Sequence, residues 1–400
     1  MSATLLGNGD GALGAPVVSA TTGGRVHLVY RGTDAQIHYR LWNGKKWKAD
    51  EALPTPTAKN HQPHIVAAPQ GGVHVVFVGD TTGGASYTVY YTTRRAKTWS
   101  SPTQLSHESF AQLPRIAAAA DGALHVVYNR FGDTFQEIYY THFDGAAWSA
   151  PQVIGSGFYP DIALDANGQP MAVWNDKTKL FSAQRGADGV WSAPQRLRGG
   201  RRSQTAALIF DAAGVGHLVA QSRAGEQQVL LYASCALDGV FSKLTRVPLD
   251  TLAFAMYPRI AQDCNGQLRL VYQAKNIADE PWRVFQSVRD GTSWGAPTRL
   301  DAPPMDTINQ VPDIDANGSV VAVTWWTRRD PAQEIYADVQ TLECAAPPVS
   351  MTATLPERKR KTTRKTTRKT ARRAPPQKAK PKTRGALKSK GRPSAKSKTR

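Results

Sequence analysis

The amino-acid sequence predicts an all-β fold, a seven-bladed β-propeller of four-stranded blades closed by its N-terminal strand, followed by a disordered C-terminal tail. Three observations predict it: a tryptophan turn that repeats along the chain, a four-strand pattern within each repeat, and a positive charge confined to the last fifty residues. We therefore expect two domains. Residues 1–350 form the propeller, with residues 3–6 as the closing strand, and residues 351–400 form a Lys/Arg-rich tail.

A short turn containing Gly or basic residues, followed by an aromatic residue, recurs through the first 300 residues. The aromatic residues are Trp47, Trp99, Trp148, Trp191, Phe241 and Trp294. The segments that follow also repeat, as in WSSPTQL, WSAPQVI, WSAPQRL and WGAPTRL. Self-similarity at a spacing of 43–53 residues indicates a repeat architecture.

Each repeat has the pattern of four short strands. In residues 113–154 the segments LPRIAAAA, LHVVYN, EIYYTHF and WSAPQVI are separated by turns or polar loops. Their content of Val, Ile and Tyr favours strands, and no part of the first 350 residues has a helical period. Four antiparallel strands in every repeat are typical of propeller blades.

The first strands of the repeats give the number of blades. They begin at Pro16, Pro63, Pro114, Pro160, Ala206, Pro258 and Pro312. The seventh repeat has no clear fourth strand, whereas the N-terminal segment SATLLG resembles the outer-strand segment SAPQRLRGG. We therefore predict seven blades, with residues 3–6 pairing onto the seventh and removing an exposed sheet edge.

The repeated turn resembles the Asp box of the sialidase-like (BNR-repeat) propellers. Residues 287–294, SVRDGTSW, follow the pattern S-x-D-x-G-x-T-W with the aspartate displaced by one position, and residues 143–148, FDGAAW, keep its Asp, Gly and Trp. The resemblance covers nearly all of residues 1–345. It implies that the turns are structural, lie opposite the ligand face, and place their tryptophans in the core.

The same resemblance raises an alternative function, a divergent sialidase-like glycoside hydrolase. Sialidases resemble one another in three arginines that hold the substrate carboxylate, a Tyr/Glu pair, an aspartate and an Arg-Ile-Pro motif. Here Pro-Arg-Ile occurs instead, at Arg115 and Arg259, and no motif assigns the remaining groups. The catalytic residues of this alternative stay unknown.

The residue after each leading proline is a candidate for the mouth of the central channel, because the first strand of each blade lines that channel. These residues are Val17, His64, Arg115, Asp161, Ala207, Arg259 and Asp313. Ionisable groups at the start of apolar strands need partners or water. Two interpretations stay open: a ligand site, or mutual pairing of the arginines with the aspartates.

Loops between the second and third strands contribute further ligand-binding candidates, namely Arg130, Trp282 and Arg328. Aromatic faces beside charged groups suit sugar or peptide recognition. The sequence therefore predicts a non-enzymatic module that binds a glycan or a protein on this face. It contains no nucleotide-binding, cofactor or metal motif, so we expect neither a cofactor nor a metal.

The positive charge lies in the tail. The chain has 50 Lys+Arg and 31 Asp+Glu; residues 351–400 hold 20 of the former and one of the latter, which leaves residues 1–350 neutral. So polar a segment, rich in Pro, Ser and Thr, is expected to be disordered. The predicted polyanion-binding residues are Arg358, Lys359, Arg360, Lys361, Arg364, Lys365, Arg368, Lys369, Arg372 and Arg373.

In composition the tail resembles the basic tails of linker-histone-like proteins. Release of counterions should let it bind DNA, RNA or polyphosphate with little sequence preference. A solubility or targeting role, or attachment to an anionic envelope or membrane surface, stays open as an alternative.

The three cysteines, Cys235, Cys264 and Cys344, have no metal-ligand spacing, and an odd, sparse set argues against a disulfide framework. We expect buried free thiols. No secretion signal and no apolar run of membrane-spanning length is visible. We therefore expect a monomeric, cytoplasmic or nucleoid-associated protein without a membrane span, while export without an N-terminal signal stays open.

Overall fold

The computed structural model describes residues 3–11, 14–80, 86–132, 136–236, 238–277, 279–301, 307–329 and 332–345. The chain divides into two compact units, Met1–Pro347 and Pro348–Arg400. The predicted tail and its ten polyanion-binding residues lie outside the described residues. Within the described ranges every regular element is a strand, as predicted, and no helix there could cross a membrane.

The strands follow one another in antiparallel groups along the chain. The N-terminal strand is β1 (Thr4–Asn8), and the next group is β2 (Val17–Ala20), β3 (Val26–Arg31), β4 (Ile37–Trp42) and β5 (Glu51–Ala52). Then come β6 (Lys59–Ala67), β7 (Val73–Asp80), β8 (Tyr87–Arg95), β9 (Thr98–Trp99) and β10 (Thr103–Gln104). The following group is β11 (Ala111–Ala118), β12 (Leu124–Phe131), β13 (Gln136–Phe143) and β14 (Gln152–Gly155).

The second half of the chain continues this order. Its first group is β15 (Phe158–Leu164), β16 (Pro170–Asn175), β17 (Leu180–Gln184) and β18 (Gln195–Arg196), and its second is β19 (Ala206–Phe210), β20 (Gly216–Ala224), β21 (Gln227–Cys235) and β22 (Thr245–Arg246). The last strands are β23 (Phe254–Gln262), β24 (Leu268–Lys275), β25 (Arg283–Asp290), β26 (Ser293–Trp294), β27 (Thr298–Arg299), β28 (Ile308–Asn317), β29 (Val320–Arg329) and β30 (Ala332–Thr341).

Most of these groups are separate four-stranded sheets, as the four-strand pattern of the repeats predicted. One sheet has nine described strands, because β19–β22 and β23–β27 are joined at a single parallel pair, Gln228 with Phe254. Within both halves of that sheet the pairing is antiparallel, as in the other sheets.

The N-terminal strand completes the last sheet, whose order is β1-β30-β29-β28. The strand that was expected at residues 3–6 lies at residues 4–8, and it pairs with β30 from Thr4 opposite Ala337 to Asn8 opposite Glu334. Its Leu6 side chain is buried in a cluster with Trp326. The first and the last strand of the described chain, β1 and β30, therefore lie side by side in one sheet.

Four of the five repeated tryptophans pack between neighbouring sheets, edge-on against tyrosines from the preceding group; Trp47 packs against Trp42 of its own group. The ring centroids are 5.3 Å apart for Tyr39–Trp99, 4.9 Å for Tyr91–Trp148, 4.9 Å for Tyr140–Trp191 and 5.5 Å for Tyr232–Trp294. Each of these tyrosine hydroxyls also contacts the Nδ1 atom of a buried histidine, at 2.7–2.8 Å: His27, His74, His125 and His217 in turn. The tryptophan of the turn motif thus stabilises the contact between neighbouring sheets, because an edge-to-face aromatic pair contributes beyond the burial of its apolar surface.

The prediction that all three cysteines are free thiols is wrong. Cys264, in the turn between β23 and β24, forms a disulfide with Cys344, which follows β30, and Cys235 alone is free and buried. Beside the disulfide, Asn265 Nδ2 donates to the Glu343 carbonyl at 3.1 Å. The two cysteines are 80 residues apart, so only the packing of adjacent sheets brings them together.

Candidate functional site

A pocket of about 210 Å³ lies where the first strands of several groups begin, and we call it the mouth pocket. Four of the predicted site residues line it: His64, Arg115, Arg259 and Asp313. Asp161 joins them through Arg115, whose Nε atom is 3.7 Å from Asp161 Oδ1. The sequence rule, one residue after each leading proline, thus selects side chains that converge in space.

The local backbone explains why these side chains converge. In five groups the residue before the leading proline has a positive φ, between 48° and 52°, and the strand pairing shifts register there. These residues are Gln62, Leu113, Tyr159, Tyr257 and Val311, and all five line the mouth pocket. A proline tolerates such a bulge because it has no N–H to pair. Positive φ at non-glycine residues is strained, and such strain often concentrates at functional sites.

Side chains from neighbouring strand groups hold the bulges at Leu113, Tyr257 and Val311 in place. The Gln62 Oε1 atom accepts a hydrogen bond from the Leu113 N–H at 2.8 Å, and Gln273 Oε1 accepts one from the Val311 N–H at 2.9 Å. The strained backbone at these positions is therefore fixed from outside its own strand group, which keeps the wall of the pocket in one arrangement before any ligand arrives.

Three of the predicted site residues also bridge adjacent sheets. His64 Nδ1 accepts from the Ile116 N–H at 3.3 Å, Asp161 Oδ2 accepts from the Leu208 N–H at 2.9 Å, and Asp313 Oδ2 accepts from the Val18 N–H at 2.9 Å. Part of their role is therefore structural, and the same bonds fix the direction in which the carboxylates present their free lone pairs.

The mutual pairing that the sequence left open is present. Besides Arg115 with Asp161, the Arg259 Nε atom is 3.5 Å from Asp313 Oδ1. Both distances exceed the roughly 2.7–2.9 Å of a charge-assisted hydrogen bond. Within the described chain, the Nη1 atom of Arg115 and that of Arg259 each donate a hydrogen bond to the carbonyl oxygen of the proline before it. Both bonds are long, at 3.4 Å. Guanidinium donors thus remain for a ligand.

Burial shapes the electrostatics of the mouth pocket. It lowers the pKa of Arg115 to about 10, with the nearby charge of Arg259 adding to the effect. Burial, followed by these two arginine charges, holds the pKa of His64 well below its usual range, so His64 is neutral. Burial also raises the pKa of Asp313. It raises the pKa of Asp315, deeper in the channel, to about 6.

The three remaining predicted site residues are not among those that line the mouth pocket. Arg130 pairs with Glu137, with Nη1 3.2 Å from Oε2. The Trp282 ring lies under the Lys275 ammonium, 4.9 Å from its centroid, and Arg328 is exposed on β29. Sequence reasoning missed Tyr159 and Tyr257, although a tyrosine directly before a leading proline occurs twice and marks both.

The arrangement that the hydrolase alternative requires is incomplete in the described part of the pocket. Two arginines and two tyrosines line it, but neither a third arginine nor a glutamate is among its described residues. The geometry therefore offers a set of hydrogen-bonding groups beside aromatic rings, which can orient a polar ligand.

No protein-family model and no curated protein matches the sequence. Among solved structures, the BP39L lectin from Burkholderia pseudomallei is similar with a TM-score of 0.57 at 12% identity, covering 85% of this chain and 100% of the lectin. A catalytically inactive virginiamycin B lyase from Staphylococcus aureus, solved with quinupristin, has a TM-score of 0.52 at 12% identity, covering 86% and 99%.

A Dyadobacter fermentans protein of unknown function has a TM-score of 0.51 at 14% identity, covering 86% of this chain and 98% of its own. At such identities the similarity shows the fold alone. The fold is that of propeller-like lectins and lyases.

Proposed function

We propose that the chain is a seven-bladed, non-enzymatic β-propeller that binds a glycan in the mouth pocket, and that its basic tail binds nucleic acid or another polyanion. The observation that carries the glycan proposal is the meeting of two arginines and two aspartates with two tyrosines in and beside one pocket.

The count of seven blades rests on the seven first strands and on the nine-stranded sheet. That sheet is held together by one parallel pair, and dividing it there leaves two antiparallel blades, β19–β22 and β23–β27. Counted so, the strand groups number seven, with β1 as the outer strand of the last.

The chemistry of the pocket favours a neutral sugar. A sugar hydroxyl both donates and accepts, and the pocket offers arginine donors beside aspartate acceptors. The Tyr159 ring is 45% exposed, which leaves a face for the C–H side of a pyranose ring. Two arginine charges are balanced by two aspartate charges, so an acidic sugar gains no net attraction. The similarity to a lectin fold supports this reading.

Replacing both Arg115 and Arg259 by alanine is expected to abolish glycan binding. Hydrogen bonds to charged groups contribute about 1.5–3 kcal/mol each, so losing either alone should weaken binding roughly 10- to 100-fold. The measurement is a glycan array followed by calorimetry on its hits. Arg328→Ala, an exposed arginine outside the pocket, is the matched control and should bind as the wild type does. Unchanged binding by the double variant would place the site elsewhere.

The tail proposal rests on charge density, with 20 basic residues and one acidic residue in residues 351–400. Such a segment displaces counterions from a nucleic acid, and this gain disappears as salt rises. The segment has no aromatic residue, so stacking on unpaired bases is not expected.

Deleting residues 351–400 is expected to remove binding to duplex DNA, because the rest of the chain is neutral. For the full chain we expect affinity to fall by at least roughly 1,000-fold between 50 and 200 mM salt, the behaviour of proteins that make several phosphate contacts. Fluorescence anisotropy with a labelled duplex measures both. A deletion variant that still binds DNA at moderate salt refutes the assignment to the tail.

A further inference from the structure

A second pocket, of about 600 Å³, adjoins the mouth pocket at the seam between the β11–β14 sheet and the β15–β18 sheet, and we call it the seam pocket. Its volume lies within the roughly 300–1,000 Å³ of small-molecule sites. The side chains that matter here are those of Gln112, Asn129, Gln136, Phe158, Tyr159 and Lys177.

Asn129, on β12, is the unusual member of this set. Its residue is fully buried, and within the described chain neither its Nδ2 nor its Oδ1 atom has a hydrogen-bond partner. Leaving a buried polar group unpaired costs about 1–3 kcal/mol, so such groups are rare in folded proteins. An amide that faces a pocket and has no partner in the protein is placed to bond with a ligand.

The equivalent positions in other sheets show what Asn129 lacks. Asn129 lies opposite Gln112 at the bulge of its first strand, as Asn175 lies opposite Phe158 and Gln273 opposite Met256. Two of these polar side chains bond to the next strand group: Asn175 Nδ2 donates to the Gln204 carbonyl, and Gln273 Oε1 accepts from the Val311 N–H. Gln221, on β20, does the same, since its Oε1 atom accepts from the Tyr257 N–H. At the Asn129 seam no such bond between the sheets is present among the described residues, and the seam pocket lies there instead.

The lining chemistry indicates the class of ligand. Gln112, Asn129 and Gln136 supply amides, which both donate and accept hydrogen bonds and carry no charge. Among the described residues of the seam pocket Lys177 is the one cation, and its Nζ atom is 4.6 Å from the centroid of the Phe158 ring. Uncharged hydrogen-bond donors and acceptors fit a neutral, hydroxyl-rich ligand. The carboxylate of an acidic ligand would offer no donor to the amide oxygens.

Tyr159 lines both pockets, as do Gln62 and Leu113. We infer that the seam pocket is a second subsite, which holds a further neutral sugar unit of the glycan whose first unit occupies the mouth pocket. Tyr159 lies between the two units, and the ligand is an oligosaccharide rather than a single sugar. This inference rests on the proposed function of the mouth pocket.

The test is Asn129→Leu, a change of similar size that removes both unpaired polar atoms. We expect its affinity for di- and trisaccharides of a glycan array to fall roughly 10- to 100-fold, with binding of the matching monosaccharide unchanged. Its melting temperature should stay the same or rise, because an unsatisfied amide is lost. Asn175→Leu is the matched control for stability, and its melting temperature should fall because that amide bonds to two carbonyls.

The outcomes separate the two proposals. If the wild type binds a monosaccharide and Asn129→Leu leaves di- and trisaccharide binding intact, the seam subsite is refuted and the mouth pocket stands. If Asn129→Leu lowers the melting temperature as much as Asn175→Leu does, its amide is structural and the inference is also overturned. If the wild type binds no glycan of the array, both proposals fail.

Discussion

Replacing Leu6 by alanine is expected to lower the free energy of unfolding by about 2–5 kcal/mol, the range for truncating a buried leucine. The side chain is 2% exposed and belongs to a core cluster with Trp326 and Ile335. It also lies on the strand that completes the last sheet, so a cavity there weakens the junction between the N-terminus and β30. Urea unfolding followed by tryptophan fluorescence measures the change.

The adjacent residue provides the control. Leu5 is on the same strand but 49% exposed, so Leu5→Ala should change stability by no more than about 0.5 kcal/mol. Deleting residues 1–8 removes the whole strand and should lower the melting temperature more than Leu6→Ala does. Equal, small effects of all three changes would mean that β1 contributes nothing to the folded sheet.

Features that recur in every repeat of this chain could be predicted from sequence, because the same pattern in one repeat supports its assignment in the others. Aromatic turns recurring about every fifty residues predicted the sheets, and the leading prolines identified the first strands. The predicted starts were wrong for β6, β11, β15, β23 and β28, which begin two to four residues before their proline because the bulge at the proline lies within the strand. Because the first strand of each blade lines the central channel, the residue after each leading proline was expected at its mouth, which is why Arg115 and Arg259 were found. Their aspartate partners followed from the same rule.

Features that break the period could not be predicted in the same way. The positive φ of Tyr257 lies at a bulge whose N–H donates to Gln221 of the preceding strand group, and strand propensity does not report such a contact. The Cys264–Cys344 disulfide depends on the packing of two adjacent sheets, which brings together cysteines 80 residues apart in the sequence. It also removes the cysteine part of the argument for a cytoplasmic protein, because disulfides are typical of oxidising compartments.

Asn129 shows a third kind of limit. In the sequence it occupies the same position as Asn175 and looks equally ordinary. Only the structure shows that one amide bonds across the seam and the other does not. A residue of this kind is identified by the partner it lacks, which no sequence pattern reports.

Lowering the pH from about 6.5 to about 4 is expected to destabilise the protein strongly. Burial, the largest cause, lowers the pKa of His27, His74 and His125 to about 4 in each case. In the unfolded chain a histidine has a pKa near 6.5. Between these two pKa values the unfolded state binds more protons than the folded state. The contribution of these histidines to the free energy of unfolding is therefore fully present above about pH 6.5 and is lost as the pH falls.

The size of this effect follows from the shift. One pKa unit corresponds to 1.36 kcal/mol, so each histidine contributes about 3 kcal/mol to the loss. Among the described residues, three groups act in the opposite direction: Asp313, whose pKa burial raises, and two others. Burial raises the pKa of Asp315 to about 6, and a hydrogen bond to Asp50 raises the pKa of His38, so both take up protons in the folded state first. Burial also lowers the pKa of His61 to about 4 and holds that of His64 well below its usual range, so more groups favour unfolding in acid than oppose it, and the net change remains a loss.

Substituting one of these histidines tests the assignment. His125→Gln removes a titrating group, so its free energy of unfolding should fall less steeply between pH 6.5 and 4, by about 3 kcal/mol over the whole interval. Its stability at pH 7.5 will also fall, because the His125 contact with the Tyr140 hydroxyl at 2.8 Å is altered; the slope with pH, and not the absolute value, is therefore the readout. His107→Gln, at an exposed position, is the control and should leave the slope of the wild type. Identical slopes for all three proteins would show that buried histidines between the sheets do not govern acid unfolding.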